Sequence, residues 1–73
     1  MEMVKAGSLK QGDVIRVQRW SGLLKRMAPT TATVMDVTDF GENLNITAKA
    51  NDGLKEYVTE IFAHKEDEYE KIA

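Results

Sequence analysis

"TATVMDVTDFGENLNITAKANDG", residues 31–53, is the stretch that decides the fold. In its first ten residues Ala32, Val34, Asp36, Thr38 and Phe40 alternate with Thr33, Met35, Val37 and Asp39, and β-branched side chains dominate. That period of two predicts a strand. "GEN", residues 41–43, then offers Gly at a tight reversal. "LNITAKA", residues 44–50, sets Leu44, Ile46, Ala48 and Ala50 against Asn45, Thr47 and Lys49, which is the pattern of a strand with one wet face. "NDG", residues 51–53, is the strongest hairpin signal in the chain, because Asn, Asp and Gly tolerate left-handed backbone angles. Gly53 is expected to take the left-handed position.

Working outward, "DVIRVQRW" (13–20) follows a Gln11-Gly12-Asp13 turn signal and places Ile15 and Val17 on one face, with Val14, Arg16, Gln18 and Trp20 on the other. On the far side, "LKEYVTEI" (54–61) returns from the hairpin with Leu54, Glu56 and Val58 against Lys55, Tyr57 and Thr59. The segment "EIFAHKEDEYEKIA" (60–73) reads two ways. Glu, Lys and Ala favour a helix, and Ile61, Phe62, Tyr69 and Ile72 fall near its period. A short turn followed by a fifth strand, "EYEKIA", is preferred, since four twisted strands leave open edges that a fifth covers.

Five short strands and one long connection, "RWSGLLKRMAP" (19–29), define an all-β, antiparallel domain over residues 1–73. The order resembles the SH3-like barrel, with the long loop between its first two strands. A narrower resemblance lies in "GDVIRV" (12–17) and "ATVMDV" (32–37), which are similar to the opening and close of the KOW motif. Gly12, Asp13, Ile15 and Val17 match its opening and Val34 and Val37 its close, with Gly22 and Lys25 in the loop between. The closing Gly is replaced by Ala32, and the loop is longer than the motif's own. The resemblance implies an SH3-like barrel that binds RNA, DNA or the transcription machinery.

Composition excludes much chemistry. The 73 residues include no Cys and a single His, which removes thiolate catalysis, disulfides and zinc fingers. No HExxH, GxSxG or phosphate-cradling glycine loop is present. No cofactor and no catalytic residue is expected. His64 reads as a surface residue, "EDEYE" (66–70) as a solvated charge run, and Asp36, Asp39, Glu42 and Asp52 lack the spacing of a calcium loop, so no metal is expected either. No apolar run reaches the ~18 residues of a membrane span, and "MEMVKAGSLK" has no signal-peptide core, so the expectation is a cytoplasmic protein.

The net charge of −2 conceals an asymmetry. Residues 1–35 hold six cations against two acids, whereas residues 36–73 hold four cations against ten acids. The basic third contains the site best suited to binding: Arg16, Arg19, Trp20, Lys25 and Arg26. Trp and Arg beside Leu and Met are the usual furniture of protein interface hot spots. Aromatic residues among cations also suit base stacking on a neutralised phosphate backbone. A dedicated nucleic-acid binder is usually basic overall, and a pI near 5.3 weighs against one here. The sequence therefore favours a small regulator or inhibitor, of the size encoded by phages, that docks on a larger protein as a monomer or small homo-oligomer. The alternative is a KOW-like RNA/DNA-binding module. A structural role for the apolar members of the loop would have Trp20, Leu24 and Met27 fold back to plug one end of the barrel.

Overall fold

The computed structural model of the chain describes residues 2–22, 24–51, 53 and 55–73. The expectations for Leu23, Asp52 and Leu54 lie outside the described residues. Among the described residues six strands run in chain order: β1 (Glu2–Lys5), β2 (Val14–Ser21), β3 (Arg26–Phe40), β4 (Asn43–Asn51), β5 (Glu56–His64) and β6 (Glu68–Lys71). A 3-10 turn, Ala6–Ser8, follows β1. The strands form one sheet in the order β1-β6-β2-β3-β4-β5, and every neighbouring pair is antiparallel.

The preferred reading of the C-terminal segment holds, because β6 inserts between β1 and β2 through the pairs Val4↔Tyr69 and Arg16↔Glu70. The five-stranded barrel does not. Glu2–Lys5 is a sixth strand, and the sheet is open, with β1 and β5 at its two edges. Four residues are too few to show alternation, so only the partner strand reveals β1.

The open sheet is nonetheless strongly bent. Arg19 of β2 reaches Thr59 of β5, three strands away in the sheet order. At about 4.8 Å per strand, no arginine spans that gap across a flat sheet. The concave face encloses the core: Ile15 and Val17 of β2, Ala32 and Val34 of β3, Leu44, Ile46, Ala48 and Ala50 of β4, and Ala63 of β5. Leu9 and Ala6 close one end, and Val4, Val37, Tyr57, Ile61 and Tyr69 pack around the margin. Four of the inward positions on the strands are alanines, which lets the bent strands approach closely.

The strict alternation expected across residues 32–40 breaks at one place. The β3–β4 register shifts between Val34 and Asp36, so Met35 is an extra residue on the outer surface. Beyond this bulge Val37 turns toward the core while Asp36 and Thr38 face water. Without it, Asp36 would point inward.

Candidate functional site

The supposed long loop is itself a β-hairpin, beside those of β3–β4 and β4–β5. β2 continues to Ser21 and β3 begins at Arg26, pairing Trp20 with Met27, Arg19 with Ala28 and Gln18 with Pro29. At the tip the Lys25 N–H donates to Ser21 O at 2.7 Å and the Leu24 N–H to Ser21 Oγ at 3.1 Å. Lys25 takes φ +54°, in the left-handed region that non-glycine residues seldom occupy.

Pro29 explains why this hairpin stands apart from the sheet. The Val34 N–H donates to Asp13 O, and the alternation of an antiparallel ladder then turns even-numbered β3 residues toward β2. The nitrogen of Pro29 therefore faces the β4 side, where it has no proton to donate. The β3–β4 ladder ends at Thr31↔Asn51, short of that position. On the other flank β6 pairs with β2 only at Ile15 and Arg16. Residues 17–21 and 26–30 thus form a two-stranded arm that neither neighbour covers.

The structure separates the five candidate residues. Arg16 lies on the outer surface and its Nη1 donates to Glu70 Oε1 at 3.2 Å. Arg19 occupies the inward row after Ile15 and Val17, and its Nη2 donates to Thr59 Oγ1 at 2.7 Å and to Glu60 O at 3.3 Å. Its Nε is buried without a partner among the described residues. Burial pushes the nearby Tyr69 hydroxyl above its ordinary pKa, Asp67 adds to the rise, and the Arg19 charge opposes it. Trp20, Lys25 and Arg26 remain together at the arm's end. Neither Lys25 nor Arg26 has an ion pair among the described residues.

The plug expected of the apolar members is not formed. Trp20, Leu24 and Met27 are 65%, 52% and 54% exposed. What lies inside the arm is instead a cleft of about 390 Å³ between the arm and the β4–β5 turn. Its floor is made of small inward residues, Ser21, Ala28 and Thr30, and its walls of Arg19, Trp20, Leu24, Arg26, Pro29, Gly53 and Tyr57. Tyr57 escaped the sequence reading because the inward face of β5 was not chosen there. Ile61 and Ala63, two residues apart in the same row, carry that signal.

Other candidates settle into structural roles. His64 caps the β5–β6 turn: its N–H donates to Asp67 Oδ2, and its Nδ1 accepts from the Glu66 N–H. Lys5 pairs with Glu66, Lys65 with Asp39 and Lys71 with Asp13, all at the surface. Among the described residues no group of three or more His, Asp or Glu is gathered as a metal site, and no helix is long and apolar enough to cross a membrane. Phe40 and Phe62 form an exposed tilted pair on the outer surface, with ring centroids 6.4 Å apart. No family model, curated protein or solved structure matches the chain. The KOW-like pattern of residues 12–17 and 32–37 therefore rests on those residues alone.

Proposed function

We propose that this chain is a non-enzymatic binding module that docks on a larger protein partner, as a regulator or inhibitor, through the tip of the β2–β3 arm. The observation that carries this reading is the exposure of Trp20, Leu24 and Met27 together at the end of a projecting hairpin. Large apolar side chains beside arginine form the anchors of protein interfaces, and this cluster lies where no other strand covers it. Lys25 supports the reading, since it holds a left-handed backbone angle that glycine would adopt without strain.

The nucleic-acid alternative is weaker on the same geometry. Arg16 is engaged by Glu70, and Arg19 is turned inward onto Thr59 and the Glu60 carbonyl. Two cations, Lys25 and Arg26, are left at the tip, and affinity for a polyanion scales with the number of phosphates neutralised.

The test is capture from a lysate of the native host, with and without nuclease, by the parent and by Trp20→Ser. A partner retained after nuclease and lost with Trp20→Ser is the expected result. Loss of the partner on nuclease treatment, or equal capture by Trp20→Ser, overturns the reading. A matching urea melt for the two proteins establishes that the variant is folded.

A further inference from the structure

The cleft inside the arm has a chemistry of its own. Two arginines, Arg19 and Arg26, line it together with Trp20 and Tyr57, and no acidic side chain is among the lining residues that the structure describes. Resting on the docking role of the arm, we infer that this cleft takes a carboxylate-bearing segment of the partner, with the carboxylate on Arg19 and Arg26 and an adjoining apolar side chain against Tyr57.

Three features of the molecule support that occupant. First, Arg19 is held in place without being neutralised. Its Nη2 is anchored on a hydroxyl and a backbone carbonyl, both uncharged, and it forms no ion pair among the described residues. A partly buried guanidinium whose orientation is fixed and whose charge lacks a counterion is prepared for an acid. Second, the cleft is small. At about 390 Å³ it sits near the lower end of the range for ligand pockets and accommodates one or two side chains. Third, the net positive charge belongs to residues 1–35, which hold six cations against two acids. The chain carries −2 overall, and residues 36–73 hold ten acids against four cations. A long polyanion laid along the molecule would meet that acidic surface, whereas a single carboxylate meets only the two arginines.

The test uses the full chain and two probes, acetyl-Glu-Phe-amide and acetyl-Gln-Phe-amide, followed by proton–nitrogen NMR at the Trp20 indole and the Arg19 Nε–H. The Glu probe should shift both signals saturably, with the roughly millimolar affinity typical of so small a ligand. The Gln probe should bind about tenfold more weakly, because it loses a charge-assisted hydrogen bond. Arg26→Gln, at an exposed position whose side chain has no described partner, should erase most of the difference between the probes without altering the fold. Arg19→Lys provides the second variant: it keeps the charge, loses the fork and should weaken the Glu probe selectively. Equal shifts with the Glu and Gln probes, or shifts confined to the Phe40–Phe62 surface, overturn the inference. So does a stronger response of the same signals to a single-stranded oligonucleotide, or the same shifts on raising protein concentration alone, which would make the occupant a second copy. Indistinguishable probes alongside Trp20-dependent capture remove the carboxylate and leave the docking role standing. Nuclease-sensitive capture removes the docking role itself.

Discussion

The body of the sheet and the arm follow the same alternation with opposite contents. In β4 the inward residues are Leu44, Ile46, Ala48 and Ala50, each no more than 2% exposed, and the outward ones are Asn45, Thr47 and Lys49. In the arm beyond Val17, which still belongs to the core, the inward residues are Arg19, Ser21, Arg26, Ala28 and Thr30, while Trp20 and Met27 point to water. A strand that buries its polar and small residues and displays its largest apolar ones gains little from its own fold. The body's pattern serves stability, and the arm's serves a surface that something else covers.

The largest effect that should divide the two regions is a core truncation. Ile46 is fully buried and packs among the alanines of the bent sheet. Ile46→Ala should destabilise the domain by about 2–4 kcal/mol, through lost transfer energy and an unfilled cavity. Trp20→Ser removes a larger side chain, yet should change stability by less than about 0.5 kcal/mol, because that side chain is exposed. Urea melts of both variants check the contrast. Comparable losses would mean that Trp20 belongs to the body.

A smaller effect is expected at the turn that faces the arm across the cleft. Gly53 has φ +91°, and its N–H donates to Asn51 Oδ1 at 2.8 Å. A Cβ there would meet no atom within 4 Å, so any penalty comes from the backbone angle and not from crowding. Gly53→Val should destabilise by about 1 kcal/mol or more. A variant that melts with the parent would show that this turn relaxes independently of β4 and β5.

The contrast between regions also bears on what the sequence alone makes legible. The faces of β2 and β4 follow from an alternation of neighbours two residues apart, and the left-handed Gly53 from the turn residues around it. The C-terminal strand, ambiguous in local pattern, follows from the open edge that the other strands leave. Three features do not follow in these ways. Glu2–Lys5 is a strand only because β6 returns beside it. The Met35 bulge is set by the β3–β4 register, and its one local sign is that strict alternation would turn Asp36 inward and Val37 outward. The arm reads as a loop because its inward row is Arg19 and Ser21, polar where a strand facing a core should be apolar, and because Pro29 looks like a breaker. Each anomaly is resolved by a partner distant in sequence: Thr59 and Glu60 for Arg19, and the end of the β4 ladder for Pro29. The same long-range pairing took Arg16 out of the binding cluster by setting it opposite Glu70.

Surface charge on the body gives a slighter effect. Asp39 is held below the ordinary carboxylate range, first by its hydrogen bond with Lys65 and then by the Gly41 N–H, which lies 2.7 Å from its Oδ1. Since the folded-state pKa is lowered, this contribution is present above the unfolded Asp value and disappears as pH falls through the folded one. Asp39→Asn should therefore flatten the loss of stability in that acidic window and leave neutral pH almost unchanged. Thermal melts of the two proteins across the window check it. A variant with an unaltered acid profile would mean that solvent screens the pair completely.

The least effect on folding is expected at the arm's tip, where binding should respond most. Lys25 and Arg26 carry charge on a hairpin end whose side chains make no described ion pair, so replacing both with Gln should alter stability by less than about 0.5 kcal/mol. If the arm bound RNA or DNA, that change would weaken affinity for all sequences alike and reduce the slope of log affinity against log salt by roughly two contacts. Docking on a protein predicts a different result. The parent should show no salt-dependent binding to single- or double-stranded nucleic acid at low ionic strength, and the double variant should chiefly slow association with the partner, as loss of rim charge does. Trp20 fluorescence reports both events from the same position. A double variant that unfolds would place the tip within the cooperative body after all, and the division between a self-sufficient sheet and a presented arm would fail at its most exposed point.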